Sequence, residues 1–260
     1  MNIARTVIFL ICLSPFSSHA QSAGEAEKGW SIGIGVASRG AVYEGESGRS
    51  MPFPLIGYEG ERFYLQGTSA GYRLVQNDSF TLKAHVSASF NSIAADDFGR
   101  KELAARGINR NLLEDRDIAA DAGMTASWKT AGGTFEADVR ADITNTNDGY
   151  QASLDYGFPF SVGNATVTPG VGVTLYSSDL ANYYYGTLAE EIKRGVVDYK
   201  PGSATVPHAG VTAILPFASK WTFISSVNVE FLPSEITDSP LVDKDSDVLP
   251  TLFLGISRSF

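Results

Sequence analysis

What most constrains this chain is a repeat of period two that persists longer than a soluble strand needs. In residues 80–90, Phe80, Leu82, Ala84, Val86, Ala88 and Phe90 share one face, and Thr81, Lys83, His85, Ser87 and Ser89 the other. In residues 134–144, Phe135, Ala137, Val139, Ala141 and Ile143 alternate with Glu136, Asp138, Arg140 and Asp142. Residues 164–178 set Ala165, Val167, Pro169, Val171, Val173 and Leu175 against Thr166, Thr168, Gly170, Gly172 and Thr174. From Lys220 onward, Trp221, Phe223, Val227, Val229 and Phe231 again share a face. Successive strand side chains point to opposite faces, so the alternation predicts strands. Soluble strands run to about 5–6 residues, whereas a tilted strand that crosses a bilayer needs about 9–11. A soluble barrel would alternate too, so alternation alone does not choose; strand length, the export signal in residues 1–20 and the terminal Phe260 point to a membrane barrel.

Composition removes competing classes. Acidic residues number 29 against 20 basic, a net charge of -9, the reverse of what a nucleic-acid binder carries. After the first segment no apolar run reaches the roughly 20 residues of a membrane helix. Residues 1–20 have Arg5, an apolar stretch from Thr6 to Phe16, and Ser18-His19-Ala20. That pattern predicts a secretory signal cleaved after Ala20, followed by a single barrel domain over 21–260. Cys12 is the one cysteine and falls inside this segment, so the exported chain has no disulfide, thiolate metal site or cysteine nucleophile.

Turn spacing sets the strand count. Tight connections are expected at Glu59-Gly60, Asn77-Asp78, Ala131-Gly132, Gly163-Asn164 and Ala218-Ser219, and long ones at 39–49, 92–114, 179–202 and 233–247. Bacterial barrels keep short turns and both termini on the periplasmic side. Counting back from Phe260 satisfies that rule if residues 62–76 hold two strands. The apolar face there switches from odd (Phe63, Leu65) to even (Ala70, Tyr72, Leu74), so Gly67-Thr68-Ser69 must form a turn or a bulge. A turn gives an all-β, antiparallel transmembrane barrel of about 12 strands; a bulge gives about 10, and 12 is the favoured count. The last strand ends on Phe260 with Ile256, Leu254 and Leu252 on its face, and Arg258 among them. The topology brings Trp30, Trp128, Phe160, Trp221 and Phe260 to the periplasmic level, as an aromatic girdle.

Several segments then resemble the MipA/OmpV family of outer-membrane proteins, also called MltA-interacting proteins. They are Pro52-Phe53-Pro54-Leu55-Ile56, Tyr58-Glu59-Gly60-Glu61-Arg62-Phe63-Tyr64, Gly71-Tyr72-Arg73-Leu74 and Glu114-Asp115-Arg116-Asp117 with Asp121-Ala122-Gly123. Tyr184-Tyr185-Gly186 with Glu190-Glu191, Tyr199-Lys200-Pro201, Ser239-Pro240-Leu241-Val242 and Phe260 continue the set in order. The resemblance implies a barrel of the Gram-negative outer membrane, in contact with its lipid and without catalytic activity. It implies a scaffold that links a lytic transglycosylase to a bifunctional murein synthase. A small-solute channel or surface antigen is the alternative, and no family site residue carries over.

Candidate chemistry lies on the polar strand faces. His85 and Ser87 could form an acyl-transfer pair if a third group oriented the imidazole, but alternation turns them inward, away from lipid. Glu136, Asp138, Arg140 and Asp142 are about 7 Å apart from one to the next. A lumen of compensating charges explains them better than paired catalytic carboxylates, with Lys83, Lys129, Asp121, Asp155 and Glu230 as partners. The expected inward polar row, structural or pore-lining, is therefore Lys83, His85, Asp121, Glu136, Asp138, Arg140, Asp142 and Glu230. Asp243, Asp245 and Asp247 alternate as the start of an EF-hand loop does, but lack its glycine and final glutamate. No catalytic residue, cofactor or metal site is expected.

Overall fold

The computed structural model describes residues 28–260; the expected signal, residues 1–20, and residues 21–27 lie outside the described part. Strands β1 (Gly29–Arg39), β2 (Arg49–Glu59), β3 (Phe63–Gln66), β4 (Ser69–Gln76) and β5 (Phe80–Ser89) follow in order. β6 (Ala119–Thr130), β7 (Gly133–Asp142), β8 (Tyr150–Gly157), β9 (Phe160–Val162) and β10 (Ala165–Tyr176) continue the wall. β11 (Ala204–Phe217), β12 (Trp221–Phe231) and β13 (Val248–Ser259) complete it. Every pairing is antiparallel, and β13 closes on β1 from Ser31↔Ser259 to Arg39↔Thr251.

β8 and β9 occupy one position in the wall, since both pair with β10. The break falls at Phe158-Pro159, where the proline has no N–H to give the ladder; Phe158 bridges the gap by donating its N–H to the Pro169 carbonyl at 3.0 Å. The barrel is therefore twelve-stranded, and the even count brings the start of β1 and the end of β13 to one side. At the disputed segment the turn is the outcome. Gly67 takes φ +58, a conformation that favours glycine, and β3 folds back on β4 with Gln66↔Ser69. A bulge does occur nearby, at Arg73/Val75 in β4; it shifts the outward face from Tyr72 to Val75 and was not legible in the alternation.

Side-chain faces follow the period-two pattern. Ile32, Ile34, Val86, Val139, Leu154, Val171 and Val227 are exposed on the outside, as a surface solvated by hydrocarbon requires. Five tight turns mark one rim. Beside them the register lines up a ring of aromatics: Trp30↔Tyr58, Phe63↔Tyr72, Phe80↔Trp128, Trp128↔Phe135 and Phe135↔Tyr156. Arg258 lies on the outer face with its guanidinium 5.9 Å from the Trp221 ring and 5.2 Å from Phe260. Cation–π contact lets a charge sit at the interface, which accounts for an arginine in the closing strand.

The closing seam tolerates no side chain at one point. A Cβ on Gly33 would overlap the Ile256 carbonyl oxygen and lie 2.7 Å from the Ser257 Cα, both backbone. At Gly57 it would meet only the rotatable Ser31 hydroxyl, at 2.5 Å, and then the Leu65 carbonyl at 3.5 Å. Gly33→Ala should therefore cost at least about 1–3 kcal/mol and weaken the heat-modifiable gel band of the folded barrel, while Gly57→Ala keeps it. Equal bands for the two variants would show that the seam relaxes freely.

Candidate functional site: lumen, outer cap and periplasmic rim

The lumen has two chemistries. On β5–β11 it is polar. Thr125 donates to Asp138 at 2.8 Å and meets His85 Nδ1 at 3.3 Å, while His85 Nε2 lies 3.6 Å from Asp138. Arg140 Nε sits 3.8 Å from Asp121 and 4.0 Å from Asp138. Ser127 donates to Glu136 at 2.8 Å. Lys83 places its ammonium 5.7 Å from the Tyr64 ring. His208 Nε2 meets Asp155 Oδ1 at 2.7 Å, and Ser153 donates to the other oxygen of Asp155 at 2.9 Å. Buried charges need such partners. Between β1, β2, β12 and β13 the lumen also holds an apolar cluster: Ala37, Phe53 and Phe253, with Leu55 and Ile224 packed on them.

Two members of the expected inward row, at the outer ends of their strands, have partners beyond it. Glu230 faces Arg39 across the β1–β13–β12 wall, at 3.8 Å. Asp142 ends β7, and its carboxylate accepts from the backbone of Thr144, Thr146, Asn147 and Asp148, so it organises the next loop. Ser87 shares the inward face with His85, but its buried hydroxyl has no hydrogen-bond partner. The imidazole is engaged by Thr125 and Asp138, so no Ser–His couple is assembled. His208 escaped the sequence reading because it stands alone among Pro207, Ala209 and Gly210; its one signal is its even position in β11.

The opposite end is closed by its own loops. The connections 40–48, 90–118, 177–203 and 232–247 collapse into one apolar core, containing Tyr43, Phe98, Leu103, Tyr184, Ile236 and Leu241. Helices α1 (Arg100–Ala105), α2 (Ser178–Tyr185), α3 (Ala189–Lys193) and α4 (Ser234–Thr237) build it. Ser177 starts α2 by accepting from the Leu180 N–H, an N-cap of the usual kind. At the centre, Arg116 donates to both oxygens of Glu191, at 2.7 and 3.0 Å, with both side chains fully buried. Arg116 also donates to the carbonyls of Glu114 and Gly186, and Glu191 accepts from the N–H of Glu114 and Leu188. Neighbouring connections are stitched together: Tyr43 donates to the Tyr184 carbonyl at 3.1 Å, and Arg106 to the Val242 carbonyl at 2.9 Å. Arg106 also pairs with Glu44, whose carboxyl burial nonetheless pushes above its ordinary pKa. Burial raises the Tyr43 and Tyr184 hydroxyls in the same way.

The periplasmic rim carries charge in small units. Lys28 donates to Glu61 at 2.8 Å, and this hydrogen bond holds the Glu61 carboxyl below its usual pKa. Arg73 pairs with Glu59 and donates to the Gly60 carbonyl at 3.0 Å. The expected girdle residues Trp30, Trp128, Phe160, Trp221 and Phe260 are all outward-facing and exposed at this rim.

Residues 32–260 match the family described as MltA-interacting protein MipA. A chain of Escherichia coli (strain K12) that bears the name outer membrane protein YiaT is 31% identical over the whole of both chains. A protein of the same strain named MltA-interacting protein is 28% identical, over 92% of this chain and 94% of its own. Outer membrane protein OmpV of Vibrio cholerae is 25% identical over 72% and 70%. Among solved structures, the translocator domain of autotransporter NalP from Neisseria meningitidis shares the fold at TM-score 0.50 and 14% identity, over 94% of this chain and 93% of that one.

The buried ion pair generates a direct test of the cap. Removing one partner of such a pair typically costs about 3–5 kcal/mol, because the other charge is left uncompensated. Glu191→Ala should make the outer connections sensitive to externally added protease while the barrel stays heat-modifiable. Joint replacement, Arg116→Met with Glu191→Leu, should recover most of the resistance. A resistant single variant would show that the cap does not depend on this pair.

Proposed function

The chain belongs to the MipA family of outer-membrane β-barrels, and on that premise we propose that it is a non-catalytic scaffold for murein-acting enzymes. The observation behind this reading is the asymmetry of the two ends. The long connections are spent on a closed outer cap, so the surface left facing the murein is the rim of tight turns. Its partners are a lytic transglycosylase and a bifunctional murein synthase, as the name of the 28% identical relative suggests for the first. The engagement of His85 by Thr125 and Asp138 supports the non-catalytic part. Outer-membrane lipid is the remaining partner, along the apolar outer face.

A rim of turns offers little area, well below the roughly 1,200–2,000 Å² of a stable interface, so the complex is weak and sensitive to salt. Cross-linked envelopes, pulled down through this protein, should yield a murein enzyme from the native chain and from the cap variant Glu191→Ala. Charge reversal at Glu61→Lys with Arg62→Glu should lose it. Loss confined to the cap variant would reject the rim as the docking surface. A small-solute channel is the second reading, favoured by the polar lumen row of Lys83, His85, Asp121, Glu136, Asp138 and Arg140. Conductance steps in planar bilayers, with no murein enzyme captured by any variant, would put it first.

A further inference from the structure

The barrel wall is incomplete along one strand. β2 runs over Arg49–Glu59, but β3 has only four residues and pairs with it at Gly57–Glu59. The hairpin tip turns away from β2: the Thr68 carbonyl accepts from the Ala88 N–H on β5, at 3.2 Å. Above it, the outer cap meets β2 at its top, where Arg49 pairs with Asp97 at 3.1 Å. Among the described residues, no strand pairs with the β3-side edge of residues 50–55, about 20 Å of chain by strand rise. Tyr58 marks the periplasmic girdle on this strand, so Pro54 and Pro52 lie above it, within the apolar band.

The direction of each backbone group can be worked out. Phe260 N donates to the Trp30 carbonyl, so even positions of β1 face β13 and odd positions face β2. On β2 the odd positions then bond to β1 and the even ones point to the unpaired side, as the Ile56 carbonyl does in accepting from Gly67 N at 3.1 Å. Pro52 and Pro54 are even. Proline has no N–H, so the two positions that would strand donors in hydrocarbon carry none. An unsatisfied backbone group there costs several kcal/mol. Two acceptors remain, the Pro52 and Pro54 carbonyls. Immediately inside the edge, Phe53 and Leu55 join Phe253 in the apolar lumen sector.

We propose that the gap beside β2 is a lateral portal, through which an uncharged amphiphile dissolved in the outer leaflet reaches the Phe53–Phe253 sector. Its apolar body matches that sector, and its O–H or N–H donor satisfies the two edge carbonyls. A partner strand is a poor fit, because it would find no donors at Pro52 and Pro54. The portal is independent of the scaffold reading, and its test involves no partner protein.

The absence of any cysteine beyond Cys12 makes single-cysteine labelling direct. Full-length protein purified from outer membranes and reconstituted in phosphatidylcholine vesicles is treated with pyrene maleimide, which dissolves in lipid, or with a sulfonated maleimide, which does not. Leu254→Cys on the lipid face sets the fastest rate, and Thr212→Cys on the far lumen wall the background. Leu55→Cys should react with the lipid-dissolved reagent at least tenfold faster than Thr212→Cys, and added dodecanol should slow it. Met51→Cys, the inward position nearer the cap, repeats the measurement if Leu55→Cys loses its heat-modifiable band. Equal rates at the near and far walls, labelling only by the sulfonated reagent, or protection by dimer formation without dodecanol would each overturn the portal.

Discussion

Hydrocarbon offers no hydrogen bonds, and this single property of the surrounding medium dictates the architecture. A sheet in that medium must pair every backbone group, so it must close. The register from Ser31↔Ser259 to Arg39↔Thr251 is that closure. The same requirement explains the even count of an all-antiparallel closed wall and the placement of prolines, while the aromatic ring at the periplasmic rim reflects side chains that favour the membrane–water interface. Pro159 interrupts the wall within one position, and Phe158 bonds across the break. Pro52 and Pro54 line the stretch where the wall has no neighbour. Each lies where a missing donor does least harm.

At the outer end the medium changes to water, and the hydrophobic effect takes over from backbone pairing. Four long connections carry enough leucine, tyrosine and phenylalanine to form a core of their own. Each large apolar side chain fully buried there contributes roughly 1.5–3 kcal/mol. The Arg116–Glu191 pair opposes that gain through desolvation. It offsets this cost by the bidentate contact and by four further bonds to backbone groups of Glu114, Gly186 and Leu188, although the buried Arg116 Nε has no partner among the described residues. The pair also joins the second half of one connection to α3 in another, which selects one arrangement of the loops. The result is a barrel whose outer end is occupied and whose periplasmic rim, among the described residues, is built of tight turns.

Within the lumen, polar and apolar residues occupy different sectors of the circumference. Alternation along a strand separates inside from outside, but it is silent about how neighbouring strands share chemistry around the ring. The polar sector arises because β5–β8 and β11 each bring acidic, basic or hydroxyl residues to matching heights. The apolar sector arises where β1 and β13 contribute glycine, alanine and phenylalanine.

Much of the protein was legible in its residues. The period-two runs identified the strands and their faces, the turn spacing located the short connections, and the phase switch between Leu65 and Ala70 marked a turn or a bulge, with the turn that makes twelve the favoured outcome. Those features are local, set by residues within one strand or one turn. The bulge at Arg73, the His208–Asp155 pair, the pairing of Glu230 with Arg39 and of Asp142 with the following loop, the cap and the unpaired β2 edge are not. They depend on which strands stand side by side and on contacts as distant in sequence as Ser246 with the Ala41 carbonyl. Irregular loops have no period to betray their buried face, and the reach of a hairpin is decided by its pairing. Sequence alone therefore determined a closed outer-membrane barrel and its orientation; the tertiary structure decided what fills its mouth and where its wall opens.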